Sequence, residues 1–172
     1  VRAGLRVAVC EQLEDPKKAK GIVKRDVVEV VTPGVVFTDK LLDHKHYNFL
    51  ASIAFHGGIA GVAFVDASTG DFFTAEMPEH QLRDQLDTIG PSEVLLAKKD
   101  VDHFHDLFGR NPLRVPLTKL DDWVYARDTA YEILVTHFRT QSLKGFGIDT
   151  LQAGVIAAGA ALHYLKETQK AN

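Results

Sequence analysis

The fold of this chain is decided by residues 48–75, NFLASIAFHGGIAGVAFVDASTGDFFTA. Two apolar runs, 48–55 and 59–65, are separated by Gly57-Gly58, and a glycine pair at this position is typical of a tight β-hairpin. Residues 66–70 (DASTG) give a second turn signal, after which 71–75 resumes the strand pattern. The segment therefore predicts three antiparallel strands in series.

Downstream of this segment the apolar spacing alternates between helix and strand. Leu82, Leu86 and Ile89 repeat at helical spacing, and Gly90-Pro91 ends that helix. The order β-β-β-α-β-α-β-α predicts an α/β fold with a mixed sheet flanked by helices. The later elements are expected as strand 92–97, a short helix capped by Asp100, strand 113–117 and helix 130–137.

The chain before residue 48 reads as a smaller unit followed by a link. Residues 5–12 and 27–31 have strand composition, and Asp15-Pro16 opens a short helix that ends at Gly21. Thr32-Pro33-Gly34 predicts a type II turn, in which the glycine takes a positive φ. Residues 37–47 are expected to link this unit to the sheet.

Residues 150–168 give the clearest helical pattern. An apolar stripe resembling that of a coiled coil runs along them, formed by Leu151, Val155, Ala158, Leu162 and Leu165. We expect this stripe to pack against a helical domain outside the chain. Together with a start that is not methionine, it indicates a segment of a longer protein.

Composition restricts the class of protein. The chain is 45% apolar and 25% charged, as in ordinary globular domains, and no apolar run reaches the roughly 18 residues that span a bilayer. Cys10 is the only cysteine, which excludes an intrachain disulfide and a thiolate zinc site and fits a cytoplasmic location. Its setting predicts a small buried residue on a strand.

Several strings then resemble the MutS family of DNA mismatch-repair proteins, in the family's own order. Residues 7–34 (VAVCEQLEDPKKAKGIVKRDVVEVVTPG) resemble the end of the mismatch-binding domain. DASTG at 66–70 with the strand at 93–97 resembles the connector domain, and KGFG at 144–147 with AAGAALHYLKETQ at 157–169 resembles the start of the lever domain. The resemblance implies a division into three parts: the end of the mismatch-binding domain at 1–42, the linker and connector domain at 43–147, and the start of the lever domain at 148–172. It also implies an RNase H-like connector, preceded by the end of an α/β domain and followed by the first lever helix.

The resemblance also implies a function for this segment. It would couple mismatch binding to the ATPase and to the MutL partner within a MutS homodimer on mismatched double-stranded DNA. Neither the Phe-x-Glu wedge nor a G-x-x-x-x-G-K-[ST] loop occurs in the sequence. ATP and Mg are therefore expected only in the intact parent, and this segment is expected to hold no cofactor and to be no enzyme by itself.

Two candidate surfaces follow. The cations Lys17, Lys18, Lys20, Lys24 and Arg25 could contact DNA phosphates or form an ordinary solvated face, and the sequence leaves both open. The family's connector is implicated in docking MutL near the helix that 128–136 resembles. By that resemblance Asp128, Tyr131 and Glu132 are expected to be exposed and to form the partner-binding face.

Two acidic clusters suggest metal chemistry, which provides an alternative function. RNase H-like nucleases hold metal ions with a carboxylate on the first strand of the sheet, and Asp66 with Asp71 could serve in that way. Asp66 also suits an Asx turn, which is the favoured interpretation. Residues 100–106 (DVDHFHD) carry three carboxylates and two histidines, but helical spacing spreads them apart and predicts no metal site.

Overall fold

The structure is a computed structural model that describes residues 5–12, 23, 25–35, 48–109 and 111–169. The predicted short helix after Asp15-Pro16 and the predicted link at 37–47 lie outside the described residues. No helix within the described ranges combines the length and apolar character needed to cross a membrane.

The described strands form two sheets. β1 (Val7–Gln12) and β2 (Arg25–Val31) pair antiparallel in the smaller sheet. The larger sheet has the order β5-β4-β3-β6-β7, in which β3, β4 and β5 are antiparallel neighbours and β6 and β7 run parallel to β3. Its strands are β3 (Leu50–His56), β4 (Ile59–Asp66), β5 (Asp71–Pro78), β6 (Glu93–Ala97) and β7 (Leu117–Leu120).

The predicted three-strand opening and the mixed α/β class are confirmed. Gly57 and Gly58 turn the chain between β3 and β4 with φ of 58° and 78°, a conformation that a side chain disfavours. The helices are α1 (Leu82–Ile89), α2 (Val101–Phe108), α3 (Arg127–His137) and α4 (Ala153–Thr168).

The helices cover both faces of the larger sheet. Ile53, Val62 and Phe64 point to one face and pack with the apolar side chains of α1 and α2. The opposite face carries the small residues Ala54 and Ala63, and there α3 and α4 pack. Small side chains on this face let α4 approach the sheet backbone closely.

α4 belongs to the core of this unit, which corrects one prediction. Val155, Ala158 and Leu162 are buried against the sheet and α3, so the expectation that the stripe faces a missing helical domain is wrong. Small residues in AGVIAAGAA allow the helix to be buried on most of its surface. The three-part domain division remains a prediction, although α4 packs on the larger sheet.

Other expectations shift for local reasons. The strand predicted at 113–117 lies at Leu117–Leu120, since proline at 112 and 116 supplies no N–H for a strand ladder. A 3-10 turn, Lys98–Asp100, leads into α2, and the side chain of Asp100 makes no capping hydrogen bond. Cys10 is exposed rather than buried, because it lies on β1, where all six residues are exposed.

Candidate functional site

A turn after β2 is attached to the larger sheet. Thr32 and Val35 exchange backbone hydrogen bonds of 3.2 Å across Pro33 and Gly34, and both flanking residues are buried. Val35 packs in a small apolar cluster with Leu50, Leu95 and Tyr164. We call residues 32–35 the Pro33–Gly34 turn.

The central peptide of this turn is hydrogen-bonded on both sides by residues from beyond position 47. The Gly34 N–H donates to Glu93 Oε2 at 2.9 Å, and Asn48 Nδ2 donates to the Pro33 carbonyl at 3.0 Å. Gly34 does not have the positive φ that the predicted type II turn requires. It is needed for space instead, because a Cβ there would lie 2.9 Å from both Glu93 Cβ and Leu50 Cδ1.

Glu93 is a fully buried carboxylate that joins three segments. Its Oε1 accepts hydrogen bonds from Thr118 Oγ1 at 2.6 Å and from the Tyr164 hydroxyl at 2.8 Å, while Oε2 holds the turn. Burial, followed by the negative charge of Glu93, raises the pKa of Tyr164 to about 12. Because a buried carboxylate is tolerated only when its oxygens are bonded, these partners depend on one another.

Asn48 connects the turn to the loop after β4. Its backbone N–H donates to Asp66 Oδ2 at 2.9 Å, and its side-chain oxygen accepts from Ser92 Oγ at 2.7 Å. Asp66 Oδ1 accepts from the backbone N–H and the hydroxyl of Ser68, at 2.9 and 2.6 Å. The Asx turn predicted for Asp66 is therefore confirmed.

The surroundings of Asp66 suit a structural carboxylate. Burial raises the pKa of Asp66, but hydrogen bonds from Ser68, Asn48 and Thr69 outweigh it and leave the pKa below its ordinary value. Asp71 lies opposite Asp66 on β5, and its Oδ2 accepts from Thr69 Oγ1 at 2.8 Å. Both oxygens of Asp66 are thus already bonded within the chain.

The nuclease alternative finds little support in this arrangement. Asp66 ends the second strand of the larger sheet, whereas β3, the first strand, carries no carboxylate. Within the described ranges no three His, Cys, Asp or Glu side chains are grouped to hold a metal ion. In the 100–106 cluster, His103 Nε2 lies 3.0 Å from Glu79 Oε2, and the ring contacts Phe55 edge-on.

The predicted partner-binding face lies on the first turns of α3. Asp128 and Glu132 are exposed. Tyr131 was expected to be exposed but is half-buried, because it packs against the core and lies under the Arg127 guanidinium, 5.5 Å from its ring centre. The face therefore offers two exposed carboxylates beside a partly covered aromatic ring.

Of the five predicted DNA-contact residues, Arg25 lies in the part of the chain that the structure describes. Arg25 is exposed at the start of β2, where it pairs with Gln12 of β1. Lys17, Lys18, Lys20 and Lys24 lie outside the described residues. DNA contact by these cations stays a prediction.

The sequence reasoning missed Asn48, Glu93 and Tyr164. Glu93 offered one signal, a carboxylate at the start of the apolar run EVLLA, but its partners Gly34 and Tyr164 are 59 and 71 residues away. Nothing in the local pattern pointed to them.

Comparison with known proteins shows which family domain each part of this attachment resembles. The sequence profile of MutS domain I matches residues 1–40, and that of MutS domain II matches residues 48–172. The chain belongs to the MutS family. The Pro33–Gly34 turn thus lies in the stretch similar to domain I, and Asn48, Glu93 and Tyr164 lie in the stretch similar to domain II.

Individual MutS relatives agree with this assignment. The DNA mismatch repair protein MutS of Flavobacterium psychrophilum is 53% identical over 169 residues, and that of Cytophaga hutchinsonii is 50% identical over 169 residues. MutS of Salinibacter ruber is 49% identical over 175 residues. The matches cover 98–99% of this chain but only 19% of the length of these three relatives, so the chain corresponds to one part of a MutS protein.

Proposed function

We propose that this chain is the coupling part of a MutS mismatch-repair protein. It joins the mismatch-binding domain to the remainder of the protein and presents the α3 face to MutL. The observation that carries the proposal is the attachment of the Pro33–Gly34 turn. A buried carboxylate and an asparagine from the domain II stretch bond the N–H and the carbonyl of a turn in the domain I stretch.

The larger sheet supports an RNase H-like connector. Three antiparallel strands are followed by two that run parallel to the first, in the order β5-β4-β3-β6-β7, with helices on both faces. In this proposal the fold serves as a rigid support. Asp66 contributes by holding Asn48, which in turn holds the turn.

The wider setting is proposed from the family alone. The parent protein is expected to be a homodimeric, ATP- and Mg-dependent protein of the cytoplasm that binds mismatched double-stranded DNA. Lys17, Lys18, Lys20, Lys24 and Arg25 are proposed to contact DNA phosphates there. Such contacts would weaken as the salt concentration rises.

The coupling proposal is tested in the full-length protein with Asn48→Ala. Loss of the bond to Pro33 should reduce the stimulation of ATP hydrolysis by mismatched DNA, while the protein remains folded. Asn111→Ala is the matched control, because Asn111 is exposed and follows α2, which packs on the face of the larger sheet opposite α4 and Tyr164. Mismatch-stimulated hydrolysis that is equal in both variants would refute the coupling role of this attachment.

The partner-binding face is tested by charge reversal rather than by truncation of Tyr131, which would also disturb the core. Asp128→Lys with Glu132→Lys should weaken MutL binding on mismatched DNA and leave DNA affinity unchanged. Asp106→Lys, an exposed carboxylate on α2 across the sheet, is the control. MutL binding that survives the double reversal would place the partner face elsewhere.

A further inference from the structure

The two oxygens of Glu93 have different partners. Among the residues that the structure describes, Oε2 accepts from the Gly34 N–H alone, whereas Oε1 accepts from Thr118 on β7 and Tyr164 on α4. Thr118 and Tyr164 therefore position the carboxylate through Oε1, and Oε2 holds the turn. Loss of a hydrogen bond at Oε1 would therefore affect the turn, because both oxygens belong to one carboxylate.

Tyr164 is the one of these Oε1 donors that belongs to a helix. Tyr164 lies near the end of α4, where Thr168 Oγ1 donates a hydrogen bond to the Tyr164 carbonyl at 2.9 Å. The Arg6 guanidinium lies 5.6 Å above the centre of the Tyr164 ring. Tyr164 thus reaches the stretch similar to domain I in three ways: its ring lies under Arg6, it packs with Val35, and its hydroxyl reaches Gly34 through Glu93.

We infer that Tyr164 is a positioning residue, whose hydroxyl keeps the Glu93 carboxylate directed at the Gly34 N–H and so holds the Pro33–Gly34 turn on the sheet. This inference rests on the proposed function and names a residue that maintains the same attachment. Without the Tyr164 hydroxyl, Oε1 keeps Thr118 as its donor. A buried carboxylate with fewer hydrogen bonds gains by turning toward water, and that movement releases the Gly34 N–H.

Amide hydrogen exchange of this 172-residue chain tests the inference, with Gly34 as the reporter and Leu95 in β6 as the internal reference. Tyr164→Phe removes the hydroxyl alone and should speed Gly34 exchange about tenfold more than Leu95 exchange, as expected for one bond to a charged group. Tyr125→Phe is the matched control, since its buried hydroxyl lies 3.1 Å from Ser52 Oγ and contacts no residue of the turn.

Three results would overturn the inference. Gly34 exchange could be unchanged in Tyr164→Phe, it could rise equally in Tyr125→Phe, or Gly34 and Leu95 could accelerate together. The last result would show that Tyr164 supports the whole core rather than the turn. These measurements involve no DNA, ATP or MutL. The role of Tyr164 can therefore be refuted without refuting the coupling role tested with Asn48→Ala, and the coupling role can be refuted without refuting the role of Tyr164.

Discussion

Gly61→Ala should remove much of the stability of this chain, because α4 rests on the backbone of β4 at that glycine. A Cβ on Gly61 would lie 2.0 Å from the Ala153 carbonyl carbon and 2.3 Å from the Gly154 nitrogen, against 3.4 Å or more in ordinary contact. The obstacle is the backbone of the first turn of α4, which cannot rotate away as a side chain does. The start of α4 must therefore retreat from the sheet.

The magnitude follows from the contacts that such a retreat breaks. Overpacking of a core costs about 1–3 kcal/mol, and an immobile backbone places this site near the upper end. Two hydrogen bonds hold the start of α4 on β5: Thr74 Oγ1 donates to the Gly154 carbonyl at 2.8 Å, and the Gly154 N–H donates to Glu76 Oε1 at 2.9 Å. At about 1 kcal/mol each, they bring the expected loss to roughly 3–5 kcal/mol.

Urea unfolding followed by tryptophan fluorescence measures this loss. Trp123 is the only tryptophan, and its ring lies 5.1 Å from that of His163 on α4. Gly145→Ala is the control, since no atom lies within 4 Å of a Cβ built there and its φ is not positive. A free energy of unfolding in Gly61→Ala within about 1 kcal/mol of that control would refute the close seating of α4.

Three further predictions concern single positions. Asp66→Asn should cost about 1–3 kcal/mol in urea unfolding at pH 7, because Asn has one acceptor oxygen, and its NH2 group cannot accept the hydrogen bonds that Asn48 and Ser68 give to the two oxygens of Asp66. Since folding lowers the pKa of Asp66, its contribution is complete above the unfolded value of about 3.9, and the difference should shrink as pH falls through the folded pKa. Arg139→Gly should raise Tm by about 2–4 °C in calorimetry, because Arg139 holds a φ of 51° after α3, whereas Arg139→Ala should not. Gly34→Ala should speed amide exchange across 25–35 and leave the Trp123 unfolding midpoint nearly unchanged, a pattern that a large shift of the midpoint would contradict.

The parts of the fold that the sequence could predict are those set by neighbouring residues. Gly57-Gly58 marks the hairpin because both positions need positive φ, and Gly90 ends α1 with a φ of 63°. The Asx turn at Asp66 is equally local, since Ser68 is two residues away. Such features need no knowledge of what packs on them.

The parts that could not be predicted depend on distant packing. The apolar stripe on α4 has the spacing of a coiled coil. That it packs on the sheet instead becomes clear only from the small residues on the facing side of the sheet, Ala54 and Ala63. The small residues within α4 were an available signal, since a helix with alanine and glycine on several sides favours close burial over a coiled-coil seam. For Glu93 the pattern gave a strand residue, and its role came from partners far along the chain.

The exposed cysteine on β1 has a practical consequence for following the attachment. Since Cys10 is the only thiol and is exposed, a maleimide dye can label this one site without removal of other cysteines. β1 pairs with β2, which leads directly into the Pro33–Gly34 turn, while Trp123 lies beside α4. Energy transfer from Trp123 to the dye would therefore record, in real time, the detachment of the smaller sheet from the larger one.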